Sequence, residues 1–258
     1  MKITSYLGAT FLFGMVLLHS HSVVADESAK VESQESAKKI LTQAPVNKQQ
    51  SPPIDKTKKA TPEQQKKEAK KMYDLFNKSY IKSIASIQCL KDSKCINSED
   101  DVLKYSVFYL RFLHKLEDAA EKNDIWAMYY RGLIAYERAQ DYADRASYIQ
   151  DRDFIFTAMT LNRYRDYQFQ DAQKYLVEPA KARIPEACQM LGNIYAKGLG
   201  RKVEVQQAMD FYYCAGLEFV SANRDLEAQI TLKAMNEIAI PTDARTVDVY
   251  AKLNKNNR

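Results

Sequence analysis

The stretch from Ile184 to Gly216 constrains the fold of this chain more than any other. Small and apolar residues recur there at three- and four-residue spacing, first in Ala187, Leu191 and Tyr195, then in Ala208, Phe211, Tyr212 and Ala215, and Gly198-Leu-Gly200 separates the two runs. That spacing puts each set on one face of a helix. Glycine enters left-handed conformations without steric cost, so Gly198 and Gly200 stop the first helix and turn the chain tightly. Ala187 and Gly192 are small where the two helices of such a hairpin must approach closely, while Leu191 and Tyr195, one turn apart, fill the space between hairpins. One hairpin cannot bury its own apolar face, so helical neighbours are required.

The rest of the chain is consistent with helix alone. It has seven Gly and seven Pro in 258 residues, and no window shows strand alternation. Thr61-Pro62-Glu63-Gln64 reads as a helix start, with Thr capping, Pro at the first helical position and Gln where a capping box wants it. Met72, Phe76, Tyr80, Ile84 and Ile87 then form one apolar face. A second helix starts at Ser98, with Glu99, Asp100 and Asp101 against its positive end, and buries Val102, Tyr105, Tyr109, Leu113 and Leu116. Further helices are predicted at about 124–140, 166–182, 184–196, 203–217, 223–238 and 242–253. Their connections are short except between Gln140 and Arg165.

The string from Glu186 to Ala215 resembles the Sel1-like repeat family, relatives of the tetratricopeptide solenoids. Glu204 sits where that family prefers an acid, and Arg201 stands where it usually has Val, a departure expected to weaken packing at the turn. Ala127, Gly132 and Tyr136, followed by Ala172 and Tyr175, look like the two helices of an earlier repeat, and Glu227-Ala228-Gln229 with Leu232 and Met235 looks like a decayed third. The resemblance implies an all-α, right-handed solenoid of helical hairpins, with one clear repeat at about 184–216, degenerate ones at about 124–182 and 223–253, and capping helices at both ends. Ala127 and Ala187 are 60 residues apart, against a period of roughly 35 to 40, so about two dozen residues are inserted.

Two segments precede this region. Residues 1–25 read as a secretory signal, with Lys2, an apolar run from Leu7 to Leu18 and a small-residue exit at Ala25, a run too short to cross a bilayer. Residues 26–60 lack aromatics and end in Ser51-Pro52-Pro53, which reads as a disordered linker, either an inert spacer or a binding tail. Capping helices are then expected over 61–122 and the repeat region over 123–254, with the insertion at about 141–165. Export implies a periplasmic or secreted location. No integral membrane segment is expected after signal removal.

Four cysteines in an exported chain are expected to pair, and three pairings exist. Cys89 and Cys95 bracket the first interhelical turn. Cys188 and Cys214 lie near the start of one helix and the end of its partner, and the resemblance implies a bridge within that hairpin. Cys214, however, falls two residues before the family's second cysteine position, here Gly216, about 200° away around a helix.

Composition excludes several functions. Without Lys2 the chain carries 37 basic and 33 acidic residues, too mild an excess for nucleic acid. After signal removal only His114 remains for a histidine-based metal site or catalytic base, beside Leu113 in an amphipathic helix. The carboxylate pairs Glu117-Asp118 and Asp151/Asp153 are ordinary in solvated segments, and the Gly198 turn follows a helix rather than a strand, so it is no phosphate cradle. No catalytic constellation, metal site or cofactor is expected.

The insertion and its flank supply the candidate contact residues. Trp126, Tyr130, Tyr142, Tyr148, Arg152, Tyr164, Arg165 and Tyr167 are of the types enriched at binding hot spots. The competing reading, which residue type favours, is that the aromatics pack as ordinary core. The expected function is an interaction scaffold in the cell envelope that holds another protein. The alternative is an envelope enzyme, or an inhibitor or binder of a cell-wall enzyme, using the same insertion.

Overall fold

A computed structural model describes residues 60–91, 98–149, 154–239 and 243–256. The predicted signal, the linker up to residue 59, Cys95, Arg152 and the side chain of Cys89 lie outside the described residues, and with them the expected Cys89–Cys95 bridge. Eight α-helices and no strand occur among the described residues. They are α1 (Pro62–Lys91), α2 (Ser98–Glu121), α3 (Ile125–Ser147), α4 (Ile155–Lys181), α5 (Pro185–Lys197), α6 (Val205–Ser221), α7 (Asp225–Ile238) and α8 (Ala244–Asn256). None is long and apolar enough to cross a membrane.

The chain divides into two compact units. In the smaller, Ile81 to Lys104 continues α1 and begins α2, and Ser86 Oγ donates to the Lys82 carbonyl at 2.9 Å, inside its own helix. The larger takes Pro62–Tyr80 and everything from Tyr105 onward. Its core begins with Ala69 and Phe76 of α1 against Tyr109, Leu113, Leu116 and Ala120 of α2, and Phe76 meets Tyr109 edge-on at 5.9 Å.

Helices α3 and α4 run antiparallel, as shown by Gly132 opposite Leu176, Tyr136 opposite Phe169 and Tyr142 opposite Tyr164. Helices α5 and α6 do the same, with Gly192 opposite Tyr212 and Tyr195 opposite Phe211. At both crossings the glycine is what admits the neighbour. A Cβ at Gly132 would stand 2.7 Å from Leu176 Cγ, and one at Gly192 would stand 2.6 Å from Tyr212 Cε1. Close approach of this kind leaves no space for a methyl group.

The turns that lead from α2 to α3, from α4 to α5 and from α6 to α7 share one geometry. Asn123, Arg183 and Asn223 hold positive φ of 62°, 62° and 55°, and the next residue's N–H donates back to the carbonyl of Ala119, Pro179 or Phe219 at 3.1, 3.0 and 2.9 Å. These closures satisfy carbonyls that a helix end would leave orphaned. Between α5 and α6 the reversal rests on Gly198 and Gly200, with φ of 64° and 66°. Gly200 lies so close to the backbone of Asp166 that a Cβ would approach its carbonyl oxygen to 2.7 Å, and Gln170 Nε2 donates to the Gly200 carbonyl at 3.0 Å. The turn is thereby fixed onto α4.

Arg201 packs at this turn, although its Nε is buried without a hydrogen-bond partner among the described residues. Its guanidinium lies 3.7 Å from the Tyr195 ring centroid and pairs with Glu204, so an arginine packs where a valine was expected. Cys188 and Cys214 stand at disulfide distance with Cα atoms 6.0 Å apart, inside the usual range. Position 216, where the resemblance would place the second cysteine, packs elsewhere: a Cβ on Gly216 would meet Val249 of α8 at 2.9 Å.

Candidate functional site

The long connection expected over 141–165 is helical at both ends. Helix α3 continues to Ser147 and α4 already begins at Ile155. No Gly or Pro occurs between Gln140 and Arg165, so nothing in the chain stops either helix early. Counting from the paired positions, 44 residues separate Gly132 from Leu176, whereas 20 separate Gly192 from Tyr212. The 24 extra residues lengthen two helices into an arm. Since the α5–α6 turn docks at Asp166 and Gln170, the first ten or so residues of α4 run about 15 Å past it.

Local chemistry sets the base of the arm. Asp124 caps α3, its Oδ1 accepting from the N–H groups of Trp126 and Ala127 at 2.9 and 3.0 Å. Arg131, in the next turn, is buried and bridges three helices: it pairs with Glu117 of α2 at 2.9 Å and Asp171 of α4 at 2.6 Å, and lies 4.8 Å from the Tyr175 ring centroid. Such a cation holds its place only because both carboxylates are present. Sequence reading missed Arg131, because an arginine on an amphipathic helix reads as surface.

The predicted contact residues separate into two groups. Tyr130 is 8% exposed and stacks on Tyr73 at 5.1 Å, so it belongs to the core rather than to a contact surface. Trp126 is half-buried, with Tyr129 edge-on at 6.0 Å and Lys66 Nζ 4.5 Å from its ring centroid. Tyr142 is also half-buried, stacked on Tyr164 at 5.8 Å with the Arg145 guanidinium 5.7 Å from its centroid, which ties the two helices of the arm together. Arg165 turns to its own helix, pairing with Asp166 at 2.8 Å and donating to Asn162 Oδ1 at 2.8 Å.

Tyr148, Tyr164 and Tyr167 are exposed, at 68%, 46% and 60%. Phe154, another aromatic of the insertion, is exposed as well, and the structure adds Ile155, Phe156 and Met159, of which Phe156 is 77% exposed. At 100° per residue, Phe156, Met159, Arg163 and Tyr167 fall within about 80° of one another, a single solvent-facing stripe. The opposite face, through Phe169, Ala172 and Leu176, is buried. Phe156 and Met159 escaped sequence reading because their three- and four-residue spacing is equally that of a core face.

Burial keeps the central phenols in their neutral form. Burial pushes Tyr212 up to about 12, and burial raises Tyr136 as well, so both remain neutral hydrogen-bonding groups. Tyr212 donates to Asn193 Oδ1 at 2.8 Å, and Asn193 Nδ2 donates to the Tyr136 hydroxyl at 3.3 Å, a network that joins α3, α5 and α6. His114 is exposed and lies 3.1 Å from Glu117. Among the described residues no group of three His, Cys, Asp or Glu side chains could hold a metal ion.

No protein-family model, curated protein or solved structure matches the chain.

Proposed function

We propose that this chain is an exported scaffold of the Sel1-like repeat type, which binds another protein of the cell envelope through the α3–α4 arm. The observation that carries the reading is the exposed stripe of Phe156, Met159 and Tyr167, with the exposed Ile155 at its edge, on a helix that runs past the α5–α6 turn. Contiguous exposed apolar surface of this kind marks an interaction site. The tie between Tyr142 and Tyr164 stiffens it, which lowers the entropy lost on binding.

The repeat reading draws support from two correspondences. Gly132 admits Leu176 as Gly192 admits Tyr212, and the turns at Asn123, Arg183 and Asn223 share one hydrogen-bond pattern, 60 and then 40 residues apart. Stacked helical hairpins joined by such turns form a solenoid, with α1–α2 and α8 as its ends. Export draws support from Cys188 and Cys214 at disulfide distance, since such bridges persist in oxidising compartments.

Photocrosslinking from the stripe in native envelopes tests the proposal. A probe replacing the exposed Arg163, on the same stripe, should capture one dominant protein, and replacing Phe156, Met159 and Tyr167 together by Ala should abolish that capture while leaving helical circular dichroism unchanged. Capture that survives the triple change would place the contact elsewhere.

A further inference from the structure

The α7–α8 end of the larger unit carries an open groove of about 700 Å³, separate from the arm. Leu232, Val247, Tyr250 and Leu253 supply its apolar lining, and Lys233 and Glu237 stand among its polar residues. Two exposed stripes flank it. On α7, Leu226, Ile230, Lys233 and Glu237 follow one another at four-, three- and four-residue spacing, and all are exposed. On α8, Val247, Tyr250 and Asn254 do the same, and Tyr250 is 60% exposed. The inner faces of both helices are buried, through Ala228, Leu232 and Met235 on one and Val249 and Leu253 on the other. The apolar residues outside are therefore surplus to the packing of this copy.

The charges on this face complement themselves. Lys233 and Glu237 are opposite in sign and one turn apart, and neither takes part in an ion pair among the described residues. A two-fold axis passing between them brings each lysine onto the glutamate of the other copy, forming the contact twice, which is the property of an isologous interface. The area sets the strength. Two helices of about 20 Å length, side by side at about 10 Å spacing, present a footprint of roughly 400 Å² per copy, about 800 Å² over the pair, which is less than a standard stable interface and fits a weak, reversible one.

We propose that the α7–α8 face is a self-association site, on which a second copy of this chain docks about a two-fold axis with Lys233 of each copy meeting Glu237 of the other. Tyr250 and Val247 of one copy then cover the groove of its mate, and Leu226 and Ile230 close the edge. The proposal is independent of what the α3–α4 arm binds.

Sedimentation velocity on the purified full chain, from about 1 to about 200 µM, tests it. The expected result is a reversible monomer–dimer equilibrium with a dissociation constant in the tens of micromolar. Lys233→Glu and Glu237→Lys should each weaken it at least tenfold by setting like charges opposite one another, and the double reversal should restore it to within about threefold. Tyr250→Asp should abolish it with helical circular dichroism unchanged. A chain monomeric throughout this range, a dimer indifferent to the single reversals, or a double reversal no better than the singles would each overturn the proposal. Should Tyr250→Asp fail to fold, the charge-reversal cycle decides alone.

Discussion

Gly192 lies against the ring of Tyr212, so close that a Cβ there would come within 2.6 Å of Cε1, and the same phenol donates to Asn193 one residue on. The ring cannot retreat without breaking that hydrogen bond. Gly192→Ala is therefore expected to lower stability by about 1–3 kcal/mol, despite alanine's better helix propensity. Chemical denaturation measures this. Adding Tyr212→Leu should recover part of the loss if steric conflict is the cause, and a Gly192→Ala protein as stable as the parent would show that the two helices separate freely.

Cys188 and Cys214 tie the first turn of α5 to the middle of α6, 26 residues apart. Closing a loop of that length removes denatured-state entropy worth about 3 kcal/mol in the chain-entropy model. Thermal unfolding with and without reductant should show a lower melting temperature on reduction. A non-reducing peptide map should join Cys188 to Cys214, and a map joining either to Cys89 or Cys95 would contradict the geometry.

Arg131→Ala leaves Glu117 and Asp171 facing each other across a space the guanidinium had filled. The expected cost is about 2–4 kcal/mol, since removing one partner from a largely buried charged network leaves the others uncompensated. Replacing Lys66, which lies over the Trp126 ring at the surface, should by contrast change stability by less than about 1 kcal/mol. Equal effects from the two changes would argue that Arg131 is not a keystone of the α2–α3–α4 contact.

The docking of α8 should weaken in acid. Asp243 accepts from the Arg245 N–H at 2.9 Å and pairs with its guanidinium at 2.8 Å, while Arg245 reaches Asp210 of α6 at 2.5 Å. The hydrogen bonds from the Arg245 side chain hold the Asp243 carboxyl below the ordinary aspartate value of 3.8. A depressed carboxylate contributes stability above its unfolded pKa and loses it as pH falls through the folded one, so the contribution is present at neutral pH and disappears below about pH 4. Hydrogen exchange should show α8 losing protection in that range before α5 and α6. In Asp243→Asn the loss should already be present at pH 7.

Much of the α5–α6 hairpin was legible in the residues themselves. Ala187, Leu191, Tyr195, Ala208, Tyr212 and Ala215 are buried, and Gly198 and Gly200 adopt the left-handed conformations their positions demanded. Local rules suffice there, because helix period, glycine at a turn and small residues at a crossing depend on near neighbours in the chain. The all-helical character follows from the same rules.

Only the tertiary structure decided what lies on each helical face. Tyr130 and Tyr167 are the same residue type at helical spacing from apolar neighbours, yet one is buried against Tyr73 and the other is open to solvent. Periodicity identifies a stripe, whereas burial depends on whether another helix is long enough to cover it. Helices α3 and α4 extend past the α5–α6 turn, so the stripe from Phe156 to Tyr167 stays exposed. For the same reason Arg131 went inward: its partners, Glu117 and Asp171, lie on two other helices, 14 and 40 residues away in the chain, and only packing brings all three together.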